Sequence, residues 1–268
     1  MTVLLQWNLD GYFKRLAELQ QLIAEYDPIV IALQETHLTP ALKPRRSKFK
    51  IFRYDHFNPP NNHACGRSAL LVSTKYNSHP VSTLNTLQNI ALSVNIPQLH
   101  PLPITFCSVY IPPSHNTSSS DISGLILSLP SPFILCGDFN AHSHTWGVTS
   151  NIKFRTNARR NIIDHLLATH DDLFLLNHPN TPTHLNSTSG TFSAIDLTLC
   201  SNSLTPKVTW CTHPDLCDSD HYPILINAEE PINNKYKSVP RWLTDKANWQ
   251  LFNDITTDTS TSPTPLHH

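Results

Sequence analysis

Nine short apolar runs, rich in β-branched residues and bounded by Pro, Asn, Ser and Asp, limit this chain more than any other feature. They fall at residues 3–5, 29–33, 69–72, 90–94, 104–106, 133–136, 173–176, 197–199 and 224–226. Each is too short for a helix and has the make-up of a strand, several of them apolar on both faces. Three other stretches carry apolar residues at helical spacing: Phe13, Leu16, Leu19 and Ile23; Ile122, Leu125, Ile126 and Leu129; Ile162, Ile163, Leu166 and Leu167. Pro28 and Pro130 stop the first two. Strands and helices therefore mix along one chain, at spacings too uneven for a barrel of repeated βα units. An α/β sandwich with sheets inside and helices outside fits best.

The pattern fails after about Asn227. Residues 229–235 read as a linker and 256–265 are rich in Thr, Ser and Pro, so a folded domain is expected over 1–228 and an extension over 229–268. Within the extension Arg241, Trp242, Trp249 and Phe252 form an aromatic island. At 268 residues and 39% hydrophobic the chain supports a sizeable core. The balance of 19 Lys+Arg against 20 Asp+Glu excludes a binder that relies on a strongly basic surface, so a polyanion must be held at a local site. No apolar run approaches the roughly 18 residues needed to cross a bilayer, and the start lacks a basic, then apolar, leader. The expectation is a soluble protein that is not secreted. Six cysteines without a CxxC pair read as reduced thiols, and His142 and His144 read as a solvated loop rather than a zinc site.

The chemistry lies in what ends or begins the apolar runs. The first leads into Asn8, the second into Gln34 and Glu35, the run from Ile104 into Tyr110, and the run from Phe133 into Gly137-Asp138-Phe139-Asn140. Late in the chain the order inverts: Asp196 precedes Leu197, and Asp220-His221 precedes Ile224. If the late strands run antiparallel to the early ones, all these groups collect on one rim. Any one of them alone reads better as a turn or capping residue; their concurrence favours a site. Asp138 and Asn140, two apart in extended backbone, face one side. A carboxylate beside an amide can orient a water, accept its proton and fix a substrate oxygen. Glu35 is a natural ligand for a hard divalent cation. His221, beside Asp220 and reachable from Asp196, has the makings of a carboxylate-oriented imidazolium.

Gln6-Trp7-Asn8, Leu33-Gln34-Glu35-Thr36, Ser108-Val109-Tyr110-Ile111-Pro112-Pro113, Gly137-Asp138-Phe139-Asn140-Ala141-His142, Ser193-Ala194-Ile195-Asp196-Leu197 and Ser219-Asp220-His221 together resemble the endonuclease/exonuclease/phosphatase superfamily. Within it they look most like the endonuclease domain of insect-type non-LTR retrotransposons, over residues 1 to about 228. The segment from Arg241 to Phe252 is similar to the connector toward a reverse transcriptase.

The resemblance implies a four-layer α/β sandwich of deoxyribonuclease I type, two mixed sheets packed face to face with helices outside. It implies phosphodiester hydrolysis with Mg²⁺, for which Mn²⁺ could substitute, held by Glu35 with Asn8 and Asp220. Asp138 would activate the water and Asn140 bind the phosphate. Tyr110 and His221 would stabilise the transition state, with Asp196 orienting His221, while Thr183 and Ser219 would assist substrate contact. The implied partner is double-stranded DNA, nicked to leave a 3′-hydroxyl that primes reverse transcription, with a reverse transcriptase domain in the same polyprotein, no membrane, and a nuclear location. Two competing expectations are another phosphoesterase of the same fold, a phosphatase or deadenylase, and an inactive transposon-derived binding protein. Asp10, and Arg160 after Arg159, depart from the residues usual in such relatives. Lys43, Arg45, Arg46, Lys48 and Lys50 read equally as a phosphate-contacting loop or a solvated one, and Gly66-Arg67-Ser68 as an ordinary turn.

Overall fold

The computed structural model describes residues 1–44, 47–54, 67–83, 86–147 and 157–229. The chain divides into two units, Met1–Pro231 and Ile232–His268, and the second lies outside the described residues together with the expected aromatic island.

One six-stranded sheet has the order β13 (Val208–Thr212), β14 (Ile224–Ala228), β1 (Thr2–Asn8), β2 (Val30–Gln34), β4 (Ser68–Ser73) and β3 (Phe49–Tyr54). The other has the order β5 (Ser78–Val81), β6 (Gln88–Val94), β7 (Ile104–Tyr110), β8 (Phe133–Asp138), β12 (Asp196–Ser201) and β9 (Leu173–Leu175). A hairpin, β10 (His184–Asn186) and β11 (Thr191–Ser193), stands apart. Each large sheet is mixed, with a parallel pair at its centre: β1 beside β2, and β7 beside β8. A parallel pair needs a crossover, and the helical segments supply it. The first pair is joined by α1 (Leu16–Tyr26), the second by α2 (Ser119–Ser128); α3 (Ala158–Thr169) follows β8.

Burial on both strand faces follows from three apolar layers. Between the sheets lie Val3, Ala32, Leu70, Leu92, Phe106, Ile134, Cys136 and Ile226. Leu19 and Leu22 of α1 pack with Trp7, Leu33 and Leu71 outside the first sheet. Ile122, Leu125, Ile163 and Leu166 of α2 and α3 pack with Val109, Leu135 and Leu197 outside the second. The result is the expected four-layer α/β sandwich.

Local chemistry ends the helices where expected. Asp27 closes α1 in the left-handed region with its N–H on Ile23 O, and Pro28 follows. Ser118 and Asp121 form a reciprocal capping box on α2. Phe13 is a correction: it precedes α1 and is 53% exposed. Among the described residues Cys107, Cys136 and Cys200 are buried free thiols, whereas Cys211 is exposed; Cys65 lies outside them. No helix of the described residues is long and apolar enough to cross a membrane.

Candidate active site

The antiparallel geometry that gathers the polar strand ends is present. β14 runs antiparallel to β1, and β12 antiparallel to β8 with Asp196 directly opposite Asp138. The Asn8 amide nitrogen, at the end of β1, lies 3.1 Å from Glu35 Oε1, 3.1 Å from Asp138 Oδ2 and 3.4 Å from His221 Nε2. His221 Nδ1 is 2.8 Å from Asp196 Oδ2, and its Nε2 is 3.9 Å from Asp220 Oδ1. Tyr110 joins through a side-chain hydrogen bond to Glu35. Asn140 joins through its backbone N–H, which donates to Asp138 Oδ1 at 2.9 Å. Seven of the eight side chains picked out as catalytic or metal-binding thus meet at one seam between the two sheets, and Asn140 joins them through its main chain, its side-chain amide donating to Ile111 O at 3.2 Å.

The turns that leave the strands are unusual. Asp10, Glu35, His37 and Asn140 all have φ between 45° and 51°, a region that non-glycine residues other than Asn and Asp seldom adopt. The loops after β1 and β2 hold each other there, through Gly11 N–H to Glu35 O at 2.8 Å and Tyr12 N–H to Thr36 O at 2.9 Å. Asn140 corrects the sequence reading. β8 stops at Asp138, so the two residues share the site through a tight turn rather than through extended backbone. Gly137 is needed one residue earlier: its φ is +152°, and a Cβ there would stand 1.8 Å from Val109 O.

Charge is concentrated at the seam. Burial, with Asp196 opposite, pushes the Asp138 carboxyl up to about 8. Burial also works against a charged His221, but Asp196, Asp138 and Asp220 outweigh it and raise the imidazole to about 10. Glu35 is held below its ordinary value despite burial, because His37, Asn8 and Tyr110 donate to it. His184 beside Asp220 holds that carboxyl well down, to about 2. Glu35, Asp138, Asp196 and Asp220 therefore crowd around a single imidazolium. Burial first, and the carboxylates beside it second, keep a proton on Asp138, and a divalent cation at the seam would favour its ionised form.

Thr183 is fully buried, and its hydroxyl accepts from the Ile195 and Asp196 N–H groups at 3.1 Å, so it places Asp196. Ser219 is similar: its hydroxyl donates to Asn8 O at 2.8 Å and accepts from His221 N–H at 3.2 Å, tying the two ends of the domain. Of the basic loop, Arg45 and Arg46 lie outside the described residues, and Lys50 belongs to β3. Gly66 also lies outside them, while Arg67 is buried and its N–H donates to Gln88 Oε1.

Sequence reasoning missed several residues. Arg159 is buried, and its guanidinium donates to the carbonyls of Ile111, Pro112, Pro113, His115 and Phe139, clasping the loops after β7 and β8. Asn157 caps α3 and donates to Asn140 O at 2.5 Å. His37 lies 3.5 Å from Glu35 Oε2, with Asp10 on its other side. The His184 ring lies tilted against that of His221. Each is recruited by a loop or hairpin contact, which no local pattern announces.

Residues 104–225 match a family model described as endonuclease-reverse transcriptase, a stretch that holds every picked residue except Asn8 and Glu35. The endonuclease domain of TRAS1, a telomere-specific non-LTR retrotransposon, superposes with a TM-score of 0.65 at 20% identity, over 85% of this chain and 98% of that one. In fold and in this matched stretch the chain is similar to the endonuclease/exonuclease/phosphatase superfamily. An AP endonuclease of this fold from Archaeoglobus fulgidus also superposes, with a TM-score of 0.65 at 13% identity, over 86% of this chain and 100% of that one. In sequence, the chain is 24% identical over 250 residues to a probable RNA-directed DNA polymerase from transposon X-element of Drosophila melanogaster, covering 93% of the chain. It is 24% identical over 141 residues to the polymerase of the mobile element jockey, from the same organism, covering 53% of the chain. The chain spans only 26% and 15% of those two relatives.

Proposed function

We propose that this domain is a divalent-cation-dependent DNA endonuclease of a non-LTR retroelement, which nicks its target and leaves a 3′-hydroxyl for reverse transcription. The observation that carries this reading is the joined set of His221 on Asp196 at 2.8 Å and, beside it, the Asn8 amide donating to both Glu35 and Asp138 at 3.1 Å. A buried carboxylate beside a carboxylate-oriented imidazolium and an acid held ionised is what phosphodiester hydrolysis requires.

Glu35, with Asn8 and Asp220, would hold the cation, Mg²⁺ or its substitute Mn²⁺. When bound, the ion neutralises phosphoryl charge and makes a nearby water more acidic. Asp138 in its ionised form accepts the proton of the attacking water as the water oxygen bonds to phosphorus, the bond to the 3′ oxygen breaks, and that oxygen leaves as a hydroxyl with a proton from solvent. Asn140, fixed by its turn, presents an amide to the phosphate. His221, kept protonated by Asp196, donates to a phosphoryl oxygen, and Tyr110 adds a further donor from beside Glu35. A single well-aimed donor of this kind contributes about 2.7–4 kcal/mol to the transition state. The substrate is double-stranded DNA, the reverse transcriptase lies in the same polyprotein, and the work is done in the nucleus.

A supercoiled-plasmid assay tests this directly. Nicked circles should accumulate with Mg²⁺ and not with EDTA, and Asp138→Ala and His221→Ala should each slow nicking by at least about a hundredfold. Nicking that survives either substitution removes the mechanism. Hydrolysis of phosphoinositides but not DNA would transfer the site to a phosphatase.

A further inference from the structure

His184 opens β10 and lies against the seam without a part in the mechanism above. The hairpin is clamped there: Leu185 N–H donates to Asp220 O at 2.8 Å and Tyr222 N–H to Thr183 O at 2.8 Å. The rings of His184 and His221 are 4.6 Å apart at a tilt of 57°. Each ring has its Nδ1 taken by an orienting partner, Ser193 Oγ at 2.9 Å for His184 and Asp196 Oδ2 at 2.8 Å for His221. That leaves both Nε2 atoms turned toward one carboxylate, at 3.7 Å from Asp220 Oδ2 and 3.9 Å from Asp220 Oδ1. The ligand atoms of the three residues all lie within 4.8 Å of one another.

We propose that His184, Asp220 and His221 form a site for a transition-metal ion of the zinc class, which displaces the Nε2 proton of His221 to solvent and, by occupying that nitrogen, removes His221 from the phosphate and inhibits the domain. Two imidazoles and a carboxylate are a donor set for zinc, cobalt or nickel, whereas the oxygens offered by Glu35 and Asn8 suit magnesium. Imidazoles that bind metal through one nitrogen are held by a hydrogen bond on the other, which is the arrangement of both rings here. Around a tetrahedral ion with bonds of about 2.0–2.2 Å, donors stand roughly 3.4 Å apart, so the three side chains need shift little. Asp220 is 51% exposed and leaves an entrance for the ion. The inhibitory half of the proposal rests on the nuclease reading; the binding half does not.

Zinc titration by calorimetry in excess Mg²⁺, with Co²⁺ absorption as a second probe, separates the two. The unmodified chain should bind a Zn²⁺ that His184→Phe loses and that Ser193→Ala holds about tenfold or more weakly, while Glu35→Gln keeps it. Circular dichroism and melting check that the variants fold; should His184→Phe not fold, Ser193→Ala decides. Equal stoichiometry and affinity in the unmodified chain and the deciding variant would overturn the site. In the plasmid assay Zn²⁺ should slow the unmodified chain at constant Mg²⁺ and leave the residual rate of His184→Phe unaffected. A nicking rate indifferent to bound Zn²⁺ removes the inhibitory half. A chain that binds Zn²⁺ yet never nicks DNA counts against the nuclease reading alone.

Discussion

Asp138 and Asp196 sit opposite each other in adjacent strands, both about 99% buried, and the folded state meets that repulsion by keeping a proton on Asp138. The sign of the consequence is fixed by linkage. His221, raised from 6.5 to about 10, contributes stability that is whole below pH 6.5 and lost as pH rises through 10. Asp138, raised to about 8, binds a proton in the folded state over the range from pH 4 to 8, so it too makes stability fall as pH rises. Glu35 and Asp220, both lowered, act oppositely on the acid side, where stability is lost as pH falls through their folded values. The melting temperature in EDTA should therefore peak near pH 5 and decline toward pH 9. Each group tilts the decline by at most about 1.4 kcal/mol per pH unit, and Asp138→Asn or His221→Gln should flatten it. A profile that rises from pH 5 to 9 would contradict this charge arrangement.

At the scale of elements, two contacts hold the strand ends in place. Gly137 lets β8 approach β7 so closely that Val109 O fills the space a methyl group would need. Gly137→Ala should cost about 3 kcal/mol or more, read from denaturant unfolding, because both backbone strain and a clash with main chain must be relieved. Arg159 serves five carbonyls of two loops. Arg159→Met should leave several of them without a donor, lower stability by about 2–3 kcal/mol, and depress kcat for nicking more than it changes KM, since Asn140 loses its support. A variant with unaltered kcat would show that the clasp does not position the site. All nine apolar runs and all three helical stretches read from the sequence are elements here, because burial on one or both faces writes itself into residue type. β3, β5, β13 and the β10–β11 hairpin were not legible: their faces are partly exposed or very short, and residues such as Lys50, His79 and Asn186 carry no alternation.

Across the whole molecule, buried polar links cross between the sheets below the seam. Gln34 donates to Ser108 Oγ at 2.8 Å, Thr198 to Gln6 Oε1 at 3.3 Å, and Trp210 to Thr198 Oγ1 at 3.1 Å. A cation on Glu35, Asn8 and Asp220 would neutralise the rim where the sheets meet. Mg²⁺ should then raise stability, by about 2.7 kcal/mol at a hundredfold excess over its Kd. Thermal melts with and without EDTA measure this, and Glu35→Gln should abolish the difference; a Mg²⁺-independent midpoint would place the ion elsewhere. The convergence of the eight site residues was legible because each stands at a strand end and strand direction decides the rim. The helpers Arg159, Asn157, His37 and His184 were not, since only loop closure brings them there. One feature of the seam reaches beyond the folded state: Trp7 near the start donates to His221 O at 3.0 Å, and β1 lies beside β14, so the opening and closing stretches of the domain complete each other. A nascent chain still on the ribosome, or a copy ended early by a nonsense codon, has only half a seam.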